Sequence, residues 1–482
     1  MKIYLFIVAL LISSLSFAQN INSNVDEVIQ REMKTRRIPG AQIAVVRDGK
    51  IVLSKSYGLA NVADQIAVQS NTIFPINSNT KIFTGVAVMQ LVEQGKIKLD
   101  APVSTYLSGL PAEWQKITID QLLTHISGLP DMLKLFDPAT GSVGALRTEE
   151  AIFGKLKITP MEFKTGEQFS YNQTNYYLLG KIIEKLTNKP FAEFFGERQF
   201  KTAGLKNTVF GDSRDIIPHY APSYSYRSFF DGKRINEDKL ANNYYEFPDF
   251  TRTSAGLNST SEDLAHWIIS LQNGKILQKQ STLDLMWSPA TFNNGRPTDW
   301  VRGWGIAKLR KNHKAVGMSG GNRSALLIYP DDHLAVIVLT NLVGSAPEDF
   351  IEEIAGCYIP DIIKADPLTY LRKNLQKTGY ENAIDFVKNE KKQNPDFMPQ
   401  ESELNNWGYR LLASNQKKEA LAIFKLNVYL YPDSWNAYDS YGEILLKMGE
   451  KNKGTEMYKK SLELNPDNEN GKNVLKEIQA KN

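Results

Sequence analysis

The chain has 482 residues, is 42% hydrophobic and 23% charged, and carries a net charge of +4 at neutral pH; that is enough for two or three globular domains with their own cores. The charge is spread without basic blocks, which argues against nucleic acid or an anionic surface as partner. Cys357 is the single cysteine, leaving no intramolecular disulfide and no thiolate metal site.

Residues 1–18 read as a cleavable signal peptide: Lys2, an apolar run from Ile3 to Ile12, then Ser16-Phe17-Ala18 with small residues at the cleavage positions. The run is too short to span a bilayer. Export to the periplasm or beyond is therefore expected, with Gln19 as the mature start and no transmembrane segment after cleavage. Gln42 to Val46 and Ile51 to Tyr57 flank Asp48-Gly49, a hairpin signal. Phe74-Pro75-Ile76-Asn77 reads as an extended or turn segment. From Ile82 to Gln94 apolar residues recur at helical spacing until Gly95. A helix-rich middle broken by Gly and Pro follows. Ala325 to Tyr329 and Leu334 to Leu339 then form a second hairpin around Pro330-Asp331-Asp332. Strands at both ends with helices between predict an α+β domain over 19–365, its antiparallel sheet assembled from the two termini of the domain.

Between the proline turn and the first long helix stands Ser78-Asn79-Thr80-Lys81. Such a tetrapeptide alone is more often an N-cap serine and a solvated lysine. At the start of a buried helix it puts a hydroxyl and an amine on one face, about a turn apart. The helix N-terminus adds N–H groups that can face a developing oxyanion. That is the geometry of a nucleophile with its activating base.

Rival motifs are weak. No G-x-G-x-x-G loop occurs. The one G-x-S-x-G match, Gly317 to Gly321, runs into a strand rather than a helix, which argues against Ser319 as a nucleophile. His219, His266, His313 and His333 have no metal-ligand spacing and no H-E-x-x-H is present, so neither metal nor cofactor is implied. The aromatic stretch from Tyr220 to Tyr245, with Tyr224, Tyr226, Phe229, Phe230 and Tyr244, is expected either to border a cleft or to pack against the main domain.

From 366 to 482 the pattern is helical and repeats. Gly408 and Gly442, Leu412 and Leu446, Ala420 and Gly454, Phe424 and Tyr458, and Pro432 and Pro466 each lie 34 residues apart, the tetratricopeptide period. An all-α repeat domain is expected there, serving either structure or a protein partner.

Ile38-Pro39-Gly40, Phe74 to Lys81, Leu122 to Pro130, Phe169 to Gly180, Ala255 to Thr260 and Gly317 to Asn341 together resemble the serine β-lactamase and penicillin-binding-protein superfamily. The likeness is nearest the branch of class C β-lactamases, D,D-carboxypeptidases and esterases. It implies a β-lactamase/transpeptidase-like fold with Ser78 as nucleophile and Lys81 sharing its proton. Tyr171, in Tyr171-Asn172-Gln173, would be the general base or relay, with Gln173 in place of the usual asparagine. The third motif maps to Met318-Ser319-Gly320, which with Gln173 would line the substrate but lacks its usual cation, while the Gly321 and Ser78 N–H groups would form the oxyanion hole. Arg323 is a candidate to restore the missing charge and bind a substrate carboxylate. His125 belongs to a loop that is structural in the family. The expected activity is that of an exported serine hydrolase working through an acyl-enzyme on an ester, peptidyl-D-amino acid or β-lactam. The alternative is a penicillin-interacting or scaffold pseudoenzyme whose helical repeats bind a partner.

Overall fold

The computed structural model describes residues 21–135, 148–230 and 233–480, with only the backbone at 227–230, 233–237 and 299. The expected signal at 1–18 lies outside the described residues. Among the described residues no helix is long and apolar enough to cross a membrane. The chain divides into two compact units, one ending at Cys357 and the other starting at Tyr358.

The main sheet of the first unit has seven strands: β1 (Gly40–Arg47), β2 (Lys50–Asn61), β3 (Ile66–Ala67), β4 (Ile306–Lys308), β5 (Ala315–Gly320), β6 (Ser324–Tyr329) and β7 (Leu334–Thr340). Their order in the sheet is β4-β5-β6-β7-β1-β2-β3, antiparallel throughout. The sheet thus joins the first strands of the unit to its last, as the two hairpin signals predict. Asp48 and Gly49 both have positive φ, 51° and 70°, which gives a two-residue hairpin turn twisted to match its strands. β1 pairs with β7 in the register Ile43 to Val338. All of β7, and β1 as far as Val46, is buried, which is why Ile43 to Val46 and Leu334 to Leu339 are apolar without alternation.

Helices cover the sheet. α1 (residues 21–36) is fixed by ion pairs from Asp26 to Lys55 of β2 and from Arg31 to Glu353. α2 (Thr80–Glu93) is buried on nearly every side from Thr80 to Leu91, as expected of a helix apolar all round. α3 (Gln173–Thr187) packs on α2, and α4 (Ser261–Gln272) packs on β1 and β7.

The second unit is all helical. Glu401–Ala413 pairs with Lys417–Leu430, and Trp435–Lys447 with Lys451–Leu464. Glu401 to Trp435 and Lys417 to Lys451 are each 34 residues. A Cβ on Gly408 would meet the Phe424 ring at 2.7 Å, and one on Gly442 the Tyr458 ring at 2.9 Å. The repeated small residues are therefore where paired helices come closest.

Candidate active site

Ser78 sits in a 3-10 turn, Asn77–Asn79, that runs directly into α2. The turn is tightened by Asn77, whose φ of 48° lies in the left-handed region; asparagine tolerates that region better than most residues. The Thr80 hydroxyl donates to the Asn77 carbonyl at 2.6 Å. Ser78 is half-buried, so its oxygen is reachable while its neighbours are packed.

Lys81 is fully buried on the next turn. Its Nζ donates to Gln173 Oε1 at 2.7 Å and to the Ser254 carbonyl at 2.9 Å. It also lies 4.6 Å from the Tyr171 ring centroid and 5.2 Å from that of Tyr176. Burial drives its pKa well below the usual lysine value, opposed by the charge of Asp131. A neutral amine that donates both N–H groups to these two acceptors keeps one lone pair free to take a proton. The extra methylene of Gln173 does not cost the contact with Lys81. Among the described residues no hydrogen bond joins Lys81 directly to Ser78.

Tyr171 closes the set: its hydroxyl donates to Ser78 Oγ at 2.7 Å. Burial pushes its pKa up to about 12, and the bonds to Ser78 and Gln173 pull only weakly the other way. The phenol is therefore protonated near neutrality, and the group able to accept a proton is the amine. The Tyr171 ring is wedged between His125 and Trp300, at centroid distances of 4.8 and 5.3 Å.

The segment from Leu122 to Asp131 positions Tyr171 and Gln173. His125 Nδ1 accepts the Asn172 N–H at 3.1 Å, so the ring proton is on Nε2. Burial and nearby Lys81 hold the imidazole pKa well below normal. With its basic nitrogen already occupied, His125 is a prop for the tyrosine, as the resemblance implies. Ser127 donates to Asn175, and Thr174 donates to the Pro130 carbonyl. Asn172 caps α3 by accepting the Thr174 N–H at 2.8 Å. Asp131 accepts the Gln173 N–H at 2.9 Å, and burial raises its pKa.

The far wall is the end of β5. A Cβ on Gly320 would fall 2.1 Å from the Ile76 carbonyl oxygen and 3.0 Å from Ser78 N, so glycine is required where the strand meets the turn. Gly321 follows at φ 57°. Neither the Ser78 nor the Gly321 N–H donates to an acceptor among the described residues, which leaves both available to a substrate oxygen. Ser319 lies inside β5 opposite Ala325, not at a strand-to-helix elbow. Met318 is 3% exposed and belongs to the core beside Trp300 and Gly305. Arg323 is buried, with Nε on Asn77 Oδ1 at 2.9 Å.

Sequence reasoning brought Ser78, Lys81, Tyr171 and Gln173 forward, and these meet. It did not find Asp131, Trp300 or the Ser254 carbonyl. Asp131 follows directly on the Leu122 to Pro130 motif, which was a usable signal; a backbone carbonyl has none. In the aromatic stretch, Tyr224 packs with Ile38 and Leu342 and Tyr226 under Arg37. Tyr244 is exposed, and the side chains of Phe229 and Phe230 lie outside the described ones.

The chain is similar to Protein flp of Staphylococcus aureus (strain MW2), 28% identical over 343 residues, covering 68% of this chain and 65% of that protein. It thus spans just under two thirds of that relative's length. It is similar to Penicillin-binding protein 4* of Bacillus subtilis (strain 168), 28% identical over 307 residues, covering 62% of this chain and 67% of the relative. Among solved structures it resembles the octameric penicillin-binding protein homologue from Pyrococcus abyssi, with a TM-score of 0.61 and 26% identity over 74% of this chain and 81% of that one. A hydroxyl, a buried amine and a phenol converge in a transpeptidase-like fold, and residues 25–355, well over half the chain, match the Beta-lactamase family model: this chain belongs to the Beta-lactamase family, within the β-lactamase and penicillin-binding-protein superfamily.

Proposed function

We propose that the protein is an exported serine hydrolase that forms an acyl-enzyme on Ser78. The carrying observation is the 2.7 Å bond from the Tyr171 phenol to Ser78 Oγ beside a buried Lys81 amine. Ser78 Oγ attacks an ester or amide carbonyl as its proton passes to Lys81. The Ser78 and Gly321 N–H groups hold the tetrahedral oxyanion; elsewhere such a donor contributes about 3 to 4 kcal/mol. Tyr171 gives its proton to the leaving group and is reprotonated by the Lys81 ammonium. Water then attacks the acyl-enzyme, the same groups move its proton, and Ser78 is released.

Met318 in the third motif brings no charge, which favours uncharged acyl donors such as carboxylic esters over efficient β-lactam hydrolysis; peptidyl-D-amino acids remain the second class. Trp300 and the partly exposed Phe169, 5.8 Å apart between ring centroids, offer an apolar wall to the acyl group. A protein partner for the C-terminal helices is a separate proposal, tested by pull-down with and without 366–482.

Intact-mass analysis after exposure to a fluorophosphonate, a penicillin and an activated ester tests the reading. A Ser78 adduct that is absent from Ser78→Ala, with ester turnover, supports it. A lasting penicillin adduct without turnover points instead to a penicillin-interacting sensor. Absence of any label leaves the scaffold reading.

A further inference from the structure

The hairpin after β5 carries a buried cation that the acyl-transfer steps do not use. Arg323 is 3% exposed. Its Nε donates to Asn77 Oδ1 at 2.9 Å, and its Nη1 donates to Ser223 Oγ. The guanidinium lies over the Tyr245 ring, 4.7 Å from the centroid, and the Tyr245 hydroxyl is bonded to that of Tyr220. Among the described residues no carboxylate pairs with it. A cation kept in such a place must be satisfied by neutral acceptors and a π face, and the planar guanidinium reaches two separate acceptors at once.

One of those acceptors is Asn77, the left-handed residue immediately before Ser78. Its amide also packs on Gly321: a Cβ there would lie 3.0 Å from Asn77 Cγ and 3.2 Å from Arg323 Nε. Asn77 therefore fills the space between the guanidinium and the glycine, adjoining both candidate oxyanion donors. The next residue repeats the stitch. Ser324 Oγ donates to the Ile76 carbonyl at 2.9 Å and accepts from Asn79 Nδ2 at 2.8 Å. The hairpin itself is anchored, since the Arg323 carbonyl accepts from Thr340 N at 2.8 Å and from Thr340 Oγ1 at 2.9 Å.

We propose that Arg323 is a positioning residue that, through Asn77, holds the Ser78 and Gly321 N–H groups in register, and that it is not the ligand of a substrate carboxylate. The inference rests on Ser78 being the nucleophile. Its chemistry is specific: a charge-assisted bond holds a strained turn against a hairpin, so that two donors on separate elements face one oxygen.

The test compares Arg323→Gln, Asn77→Ala and the double variant on p-nitrophenyl butyrate and on mono-p-nitrophenyl succinate, with thermal melting and fluorophosphonate labelling alongside. Expected is a fall in kcat of about 10- to 100-fold on both esters alike, with KM moving less than about threefold. The double variant should be no slower than the worse single, because one contact is lost either way. A loss confined to the succinate and expressed in KM would overturn the proposal in favour of carboxylate binding; unchanged kcat in both single variants would also overturn it. If Arg323→Gln does not fold, Asn77→Gly decides: glycine holds the φ of 48° without strain and the cation stays, so a fall in kcat on both esters reports the lost clamp, and an unchanged kcat overturns it. Labelling of Ser78→Ala would show separately that the nucleophile, rather than the clamp, was misassigned.

Discussion

Tyr171→Phe removes one oxygen and little else. The ring contacts with His125, Trp300 and the Lys81 amine, at 4.8, 5.3 and 4.6 Å, remain. What is lost is the 2.7 Å donor to Ser78 Oγ. Ser78 is half-buried and can turn to water, so the stability cost should stay near 1 kcal/mol, the net worth of an ordinary hydrogen bond. The kinetic cost should be much larger, because a positioned proton donor contributes about 10²- to 10⁴-fold, or about 3 to 5 kcal/mol at 1.36 kcal/mol per decade. The assay is the rate of fluorophosphonate labelling and of ester hydrolysis, followed from pH 5 to 10 next to a thermal melt. The phenol pKa is pushed up to about 12, so Tyr171 should impose no alkaline fall within that range. The acid limb, where Lys81 takes up its proton, should keep its midpoint in the variant while the plateau drops. Wild-type rates in a well-folded Tyr171→Phe protein would refute the proton path through the phenol.

Lys81→Met should abolish labelling and also change how stability depends on pH. The folded-state pKa of Lys81 lies below its unfolded value of about 10.5, so between the two the unfolded chain binds more protons. Stability therefore gains with pH across that window in the wild type, and urea melts over the range should find this contribution missing from the variant. Gln173→Leu removes an acceptor that favours the ammonium, so the acid limb of the ester pH–rate profile should move to lower pH. Gly320→Ala drives a methyl to within 2.1 Å of the Ile76 carbonyl; a loss of about 1 to 3 kcal/mol should appear in the melt, together with a slower Ser78.

How much of this was legible in the sequence depends on range. The hairpins announced themselves because a two-residue turn needing positive φ leaves a local mark, Asp48-Gly49. Ser78 and Lys81 were readable because three residues of helix set their geometry. Tyr171 and Gln173 came from a family pattern, since nothing local says that a residue 93 positions from Ser78 will touch it. The link from Arg323 to Asn77 spans 246 positions, and its existence depends on how β5 and β6 meet the nucleophile turn. Composition could not distinguish a clamp there from a carboxylate ligand. Met318 illustrates the same limit: strand alternation alternates the faces without saying which one meets the core.

The pairing of β1 with β7 has a consequence for how the polypeptide is made. Gly40 N donates to Asn341 Oδ1 across 301 positions, so the middle of the sheet has no neighbour on one flank until that far end leaves the ribosome. At about 5 to 20 residues per second, the opening hairpin waits roughly 15 to 60 seconds with one edge bare. Throughout that interval a chaperone could engage the nascent chain, and a stop codon just before residue 334 would release a product that lacks β7 and leaves β1 unpaired on that side.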